Sequence, residues 1–375
     1  MKKNDVKYIL DILSGKAENF NKISDWYSTT GFIRMHNISG AVYYSAKEMG
    51  LTLPQKTERI LYNDVINQTN RNEIMRKYIK EIGNGLDSGK IRYAFLKGSV
   101  LSNANLECFG AELSPTENIQ ERRNTQDKGI FYREGERASN DIDILISSDD
   151  IFAVTKILKD LGFIQGYYDY NAKKAVELPR QEILSRRMNR GETAPLILKL
   201  NNLSVEFIEA DINFSLGYLP GDREEYLNKM LDNAVSYAGK IEGGIRGLKV
   251  NDFFMHLILH QYKEGRLYSM VKRGKDSDLY KFYDLYLFLR RGLIGLNDIF
   301  AEICRYGLQK EAYEVLYTLN QLFDVGLDDF LTKIQPENTD FYVTDPSSGK
   351  NYEWTKGITE RLAVYDGTKL LRMKK

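Results

Sequence analysis

The chain alternates between two hydrophobic rhythms. In residues 55–83, QKTERILYNDVINQTNRNEIMRKYIKEIG, apolar side chains recur at mostly helical spacing: Leu61, Val65, Met75, Tyr78, Ile79 and Ile82. Such spacing predicts amphipathic helix, with the polar remainder turned away from whatever the apolar stripe covers. Residues 1–90 therefore read as a helical N-terminal region. The rhythm then shortens. RYAFLKGSV (92–100) is a brief apolar run ending in Gly-Ser, as expected of a strand that turns into a helix. Residues 103–136 are polar, glycine-bearing and charged, and read as an inserted loop. DIDILI (141–146) is the next strand. After it, Ile151, Val154, Ile157, Leu158 and Leu161 share one helical face, with Ser148 or Asp149 as the expected cap and Gly162 as the stop.

Further on, APLILKLNNLSVEFIEADINFSL holds two alternating runs separated by Asn201-Asn202, the pattern of a β-hairpin. FFMHLILHQY and DLYKFYDLYLFLRRGL return to helical spacing, and the last forty residues read as turns and short strands. The expected organisation is an α+β protein: a helical region at 1–90, a mixed-sheet core at 91–245 with 103–136 inserted, a C-terminal helical region at 246–335, and a short-strand tail at 336–375. No internal repeat or low-complexity segment is apparent.

Composition narrows the function classes. With 42% hydrophobic and 28% charged residues among 375, the chain has the make-up of a soluble globular protein of two or three domains. Fifty-three basic residues nearly cancel 52 acidic ones, so there is no global field to hold long nucleic acid or an anionic membrane, although a local basic groove remains open. Two cysteines, Cys108 and Cys304, give neither a disulfide framework nor a zinc site and suit a reducing interior. The N-terminal apolar stretch is interrupted by Asp11 and Ser14 and is no secretory signal. The expected location is the cytoplasm, without a membrane partner. Only three histidines against 25 tyrosines leave carboxylates, lysines and backbone groups to carry any chemistry.

The chemistry centres on Asp141-Ile142-Asp143. On a strand these aspartates share one face with Leu145, while Ile142, Ile144 and Ile146 take the other. An exposed edge strand would show the same alternation, so the neighbouring motifs decide between the two. Two adjacent carboxylates repel unless a hard cation such as Mg²⁺ lies between them. Lys97-Gly98-Ser99 ends the preceding strand, and a Gly-Ser turn there offers backbone N–H groups to phosphate with no side chain in the way. In VEFIEADIN, Asp211 repeats the Asp-Ile pattern and is the preferred third carboxylate, with Glu209 the second choice on the same face. Arg137 stands where it can reach a phosphate, or simply the surface.

Taken together, a strand ending in KGS, then DIDILI, then a later strand with Asp211 resembles the DNA polymerase β-like nucleotidyltransferase superfamily. A closer resemblance is to uncharacterised bacterial nucleotidyltransferases with LKG and DIDLLV motifs, through AFLKGSVL (94–101), YREGERASNDIDILI (132–146) and ILKDLGF (157–163). This likeness spans roughly residues 58–290, with its strong motifs between 94 and 215. KFYDLYLFL (281–289) also looks like a Lys-x-x-Asp helix of abortive-infection toxin nucleotidyltransferases.

The resemblance implies a nucleotidyltransferase-type fold and an NTP substrate bound with Mg²⁺, or Mn²⁺ in its place. Asp141, Asp143 and Asp211 would be the catalytic and metal-holding residues; Lys97, Gly98, Ser99, Arg137 and Lys281 would contact the nucleotide, and Asp284 would orient Lys281. Two departures stand out. A long insertion separates Ser99 from Asp141, and Asn213 stands where the closer relatives often carry histidine.

Other motifs carry less. His256 and His260 have zinc-helix spacing but lack the glutamate of HExxH and read as a packed pair. Ser-Ser-Gly-Lys at 347–350 lacks the rest of a P-loop. Arg180, Arg186, Arg187 and Arg190 read as a solvated helical face. The expected activity is transfer of a nucleoside monophosphate to an unidentified hydroxyl-bearing acceptor. The competing classes are an inactive nucleotide-binding or regulatory module of the same fold and a metal-dependent phosphodiesterase.

Overall fold

The computed structural model describes residues 3–18, 23–109, 130–202 and 204–374. The chain divides into two compact units, one made of Met1–Val65 with Phe254–Lys375 and the other of Ile66–Phe253.

The second unit carries a mixed eight-stranded sheet. Its strands are β1 (Tyr93–Phe95), β2 (Asp141–Ile146), β3 (Ile164–Asp169), β4 (Lys174–Glu177), β5 (Leu196–Lys199), β6 (Phe207–Asn213), β7 (Val235–Tyr237) and β8 (Ile245–Gly247), in the order β4-β3-β5-β6-β2-β1-β8-β7. β2 runs parallel to β6 and antiparallel to β1, and β5 and β6 form the antiparallel hairpin expected around Asn201-Asn202. Its connection is longer than two residues: Leu200 N–H donates to Glu206, and Asn202 Oδ1 accepts from Ser204 and Val205. The α+β expectation holds.

β2 occupies the span read from sequence. Ile142, Ile144, Leu145 and Ile146 are fully buried, and Asp143 is 3% exposed, in a strand flanked by β1 and β6. β1 passes into a short helix, Lys97–Leu101, as the Gly-Ser ending predicts. The helix after β2, Ile151–Asp160, buries Ile151, Val154 and Leu158 and is followed by Gly162 at φ +94°, a conformation glycine adopts without strain. Its cap differs from expectation. A 3₁₀ turn at Ser148–Asp150 precedes it, and Ser147, in extended conformation, accepts from the Asp149 N–H. Ser148 and Asp149 lie inside that turn and cannot serve as its cap.

The long helix Gln55–Ser88 is the one its periodicity predicts, with Leu61, Val65, Met75, Ile79, Ile82 and Leu86 buried. The middle of the 103–136 insertion lies outside the described residues, but both of its ends belong to the core. Phe109 stacks on Tyr237 at 4.6 Å and meets Phe131 at 5.3 Å, while Asn105 bridges Ile130.

In the first unit, the helices Lys3–Ser14, Trp26–Met35, Ser39–Glu48, Leu279–Arg290, Leu296–Tyr306, Gln309–Phe323 and Asp328–Ile334 bury mainly aliphatic and aromatic side chains. A three-stranded antiparallel sheet follows: β9 (Val343–Asp345), β10 (Lys350–Trp354) and β11 (Leu371–Met373). Among the described residues, no helix is long and apolar enough to cross a membrane.

Candidate metal centre

Register builds the centre. In the parallel β2–β6 pair, Asp141 lies opposite Glu209 and Asp143 opposite Asp211. Residues at equal level on neighbouring strands project to one face, so four carboxylates stand side by side while Ile142, Ile144, Ala210 and Ile212 fill the other face. One oxygen from each of Asp141, Asp143 and Asp211 lies within 4.8 Å of the others. The third acid that sequence favoured is therefore beside the pair, with Glu209 one step along the same face.

The electrostatics record crowding. Burial pushes the Asp143 carboxyl up to about 6; Lys97 pulls it down and Asp141 adds to the rise. Burial, then Asp141 and Asp143, push Glu209 up to about 7. Asp211 is driven well above the ordinary carboxylate range by burial and by Asp141, Glu209, Asp143 and Glu192. A site whose acids hold protons this tightly is short of positive charge. Hard oxygens at this spacing suit a divalent cation.

Two basic groups partly relieve the deficit from the β1 side. Lys97, at φ +46°, opens the turn after β1, and its Nζ donates to Asp143 Oδ1 at 2.8 Å. A non-glycine residue in that left-handed region is a strained conformation of the kind that collects at functional sites. Arg137, 5% exposed, also lowers the Asp143 pKa. Gly98 is where it meets the turn: a Cβ there would lie 2.3 Å from Arg137 Nη1 and 2.2 Å from Ser139 Oγ. Glycine is thus required for this guanidinium and hydroxyl to reach the chain. Ser99 is 1% exposed, its N–H donates to Leu96, and its Oγ meets no hydrogen-bonding partner among the described residues.

Lys281 belongs to the other unit. There it sits at 7% exposure, hydrogen-bonded to Glu264 and 3.3 Å from Asp278. A nucleotide contact for it rests on the family resemblance alone. His260 lies 3.3 Å from Glu264 and stacks over His256, a packed pair within one helix. The helix Arg180–Asn189, with Arg186 and Arg187, buries none of its residues.

Sequence reading passed over the polar residues of the long helix Gln55–Ser88 that border the centre. Gln68 Nε2 donates to the Ser139 carbonyl at 2.8 Å, and Arg71 Nη1 reaches the Asn140 carbonyl at 3.4 Å. Arg76 ties Asn103 to Glu134. Burial holds Arg71 below the ordinary guanidinium value, while Tyr170 and Asp141 draw it back up. Gln68, Asn72 and Arg76 recur every four residues, a polar stripe inside an amphipathic pattern and the one signal that could have disclosed them. Glu192, which faces Asp211 from the segment bridging Asn213, left no such signal.

No curated protein and no solved structure matches the chain. A family profile described as an uncharacterised nucleotidyltransferase matches residues 23–111 and 131–324, most of the sequence and all four carboxylates of the centre. By that match, and with an acidic triad of the kind such an enzyme needs, the chain belongs to a family of uncharacterised nucleotidyltransferases.

Proposed function

We propose that this protein is a metal-dependent enzyme that moves a nucleoside monophosphate from an NTP to an acceptor hydroxyl and releases pyrophosphate. The observation that carries the reading is the convergence of Asp141, Asp143 and Asp211 from two strands in register, with Asp141 raising the Asp143 pKa and both of them raising that of Asp211.

In this reading Asp141, Asp143 and Asp211 would hold Mg²⁺ or Mn²⁺ where an NTP binds. The bound cation supplies charge neutralisation at the transferring phosphoryl group. Lys97 and Arg137 place fixed positive charge on the β1 side, where the β- and γ-phosphates lie. Lys97, which donates to Asp143, would contribute its charge to phosphate oxygens beside the site. The acceptor oxygen bonds to the α-phosphorus as its proton passes to a carboxylate or water, and the bond to the pyrophosphate oxygen breaks. Alignment and charge placement supply most of the acceleration. The acceptor is a small molecule, an RNA end or a protein hydroxyl; near-neutral net charge disfavours long nucleic acid.

Incubation with each labelled NTP, Mg²⁺ or Mn²⁺ and cell extract tests the proposal. Metal-dependent nucleotide binding and a labelled acceptor are expected for the native chain, and neither for an Asp141→Asn/Asp143→Asn variant. Nucleotide binding that the variant retains would leave a binding module. Hydrolysis without any labelled acceptor would point to a phosphodiesterase.

A further inference from the structure

The carboxylate face of the sheet continues past Glu209 into three aromatic rings. Phe207 precedes Glu209 by two residues on β6 and so shares its face. The pairing of Glu209 with Ile197, and of Ile197 with Ile164, places Tyr168 on that face as well. Tyr168 and Phe207 stack at 4.3 Å and 16°, and Tyr170 stands edge-on to both, at 5.3 Å and 5.8 Å. The stacked pair is braced: Tyr168 donates its hydroxyl to Glu206, which Lys173 also holds. Tyr170 is the outlier, presented by a turn in which Asp169 Oδ1 accepts from Asn171 and Ala172. It is 71% exposed, an unusual amount for a large ring with aromatic neighbours. Arg71 links the two regions, since its guanidinium feels both Tyr170 and Asp141.

Position along the sheet gives these rings a side. Across the order β1-β2-β6-β5-β3, Lys97 and Arg137 flank the carboxylates from β1, while Phe207 and Tyr168 flank them from β6 and β3. In phosphoryl transfer the attacking and leaving oxygens lie in line on opposite sides of the phosphorus. If pyrophosphate leaves over the cationic β1 flank, the acceptor hydroxyl enters from the aromatic one.

We propose that Tyr170, backed by Phe207 and Tyr168, is the acceptor subsite, and that it stacks a planar, nucleobase-like ring carried by the acceptor. The inference rests on the nucleotidyltransferase reading and names the acceptor class for that same site. A ring on Tyr170 would hold the acceptor beside the carboxylate face, where Arg71, reaching the Asn140 carbonyl next to Asp141, also interacts with Tyr170. Stacking of this kind accepts any base, because every base has a π-face.

The test uses two probes with the same ribose hydroxyls, adenosine and methyl β-D-ribofuranoside. Binding to the full-length protein is followed by saturation-transfer NMR, with the donor site filled by Mg²⁺ and a mixture of the four α,β-methylene NTPs. The expected result is saturation of the adenine ring protons, with at least about fivefold weaker binding in Tyr170→Ala and near-native binding in Tyr170→Phe. Methyl riboside should bind far more weakly than adenosine, and the affinity for the NTP analogues should not change in Tyr170→Ala. Equal adenosine binding by the native chain and Tyr170→Ala would overturn the inference. So would a loss of analogue affinity in Tyr170→Ala, which would place the donor base on Tyr170 instead. Failure of the native chain to bind the analogues with metal would defeat the nucleotidyltransferase reading itself, and is seen before adenosine is added.

Discussion

Replacing Glu209 by glutamine should make the metal-free protein more stable at neutral pH. The Glu209 carboxyl is raised from 4.5 to about 7 by burial and by Asp141 and Asp143. An acid whose folded pKa exceeds its unfolded value keeps its proton longer in the native state. Below the unfolded pKa both states are neutral there and nothing is lost. As pH rises through the window between the two values the unfolded state releases its proton first, and stability falls. At 1.36 kcal/mol per unit, the shift corresponds to at most about 3 kcal/mol above pH 7. The realised gain in Glu209→Gln is smaller than this bound, because Glu209 is only partly buried and solvent screens its neighbours.

A gain of about 1–3 kcal/mol near pH 7.5 in EDTA is therefore expected, with no gain near pH 4. Urea unfolding at the two pH values, with a probe in the sheet-bearing unit, measures it. Asp211→Asn should behave alike without metal, and millimolar Mg²⁺ then separates the two. The native chain and Glu209→Gln should gain stability from the ion, whereas Asp211→Asn should gain little, because Asp211 and not Glu209 belongs to the tight triad. Equal stability of native and Glu209→Gln at both pH values would refute the crowding argument. A Mg²⁺ response lost in Glu209→Gln and kept in Asp211→Asn would exchange their roles.

Two further outcomes follow from packing. Gly98→Ala would set a methyl within 2.6 Å of Ser139 Cβ and closer still to Arg137 Nη1, so a cost of about 1–3 kcal/mol is expected in thermal unfolding, along with weaker metal-dependent NTP binding as Arg137 is displaced. Lys281→Ala leaves Glu264 and Asp278 without the ammonium they share, and a loss of about 3–5 kcal/mol is expected in denaturant unfolding of the first unit; an unchanged midpoint combined with weakened NTP binding would instead make Lys281 a phosphate contact.

What could be read from sequence was what local chemistry decides. DIDILI read as a strand with two acids on one face, the neighbouring KGS and Asp211 motifs set it apart from an exposed edge strand, and the Gly-Ser ending of the first apolar run gave the turn that follows it. Asp211 was selected by parity and by its repeated Asp-Ile pattern, and β6 lies where that choice required. The unread part depends on pairing between distant segments. Nothing local says that Gln68 and Arg71 border Asn140, or that Glu192 faces Asp211. The polar tone of residues 103–136 concealed the buried Phe109, Phe131 and Tyr132: Phe109 packs on Tyr237 and Phe253, far along the chain, and on Phe131, which in turn meets Tyr132. The capping error had a local cause: with Ser147, Ser148, Asp149 and Asp150 in a row, each is a competent cap, and only backbone conformation chooses among them.

The alignment of β2 with β6 also limits how this chain can vary. Strand side chains alternate, so gaining or losing one residue within β6 would turn Glu209 and Asp211 toward the aliphatic layer and bring Ile208, Ala210 and Ile212 out opposite the aspartates. Changes of length are harmless only where a connecting segment absorbs them before pairing starts, as the stretch between Lys199 and Phe207 can. Among related chains, the spacing inside these two strands should be invariant even where every intervening apolar residue has been exchanged, while the β5–β6 connection drifts in size.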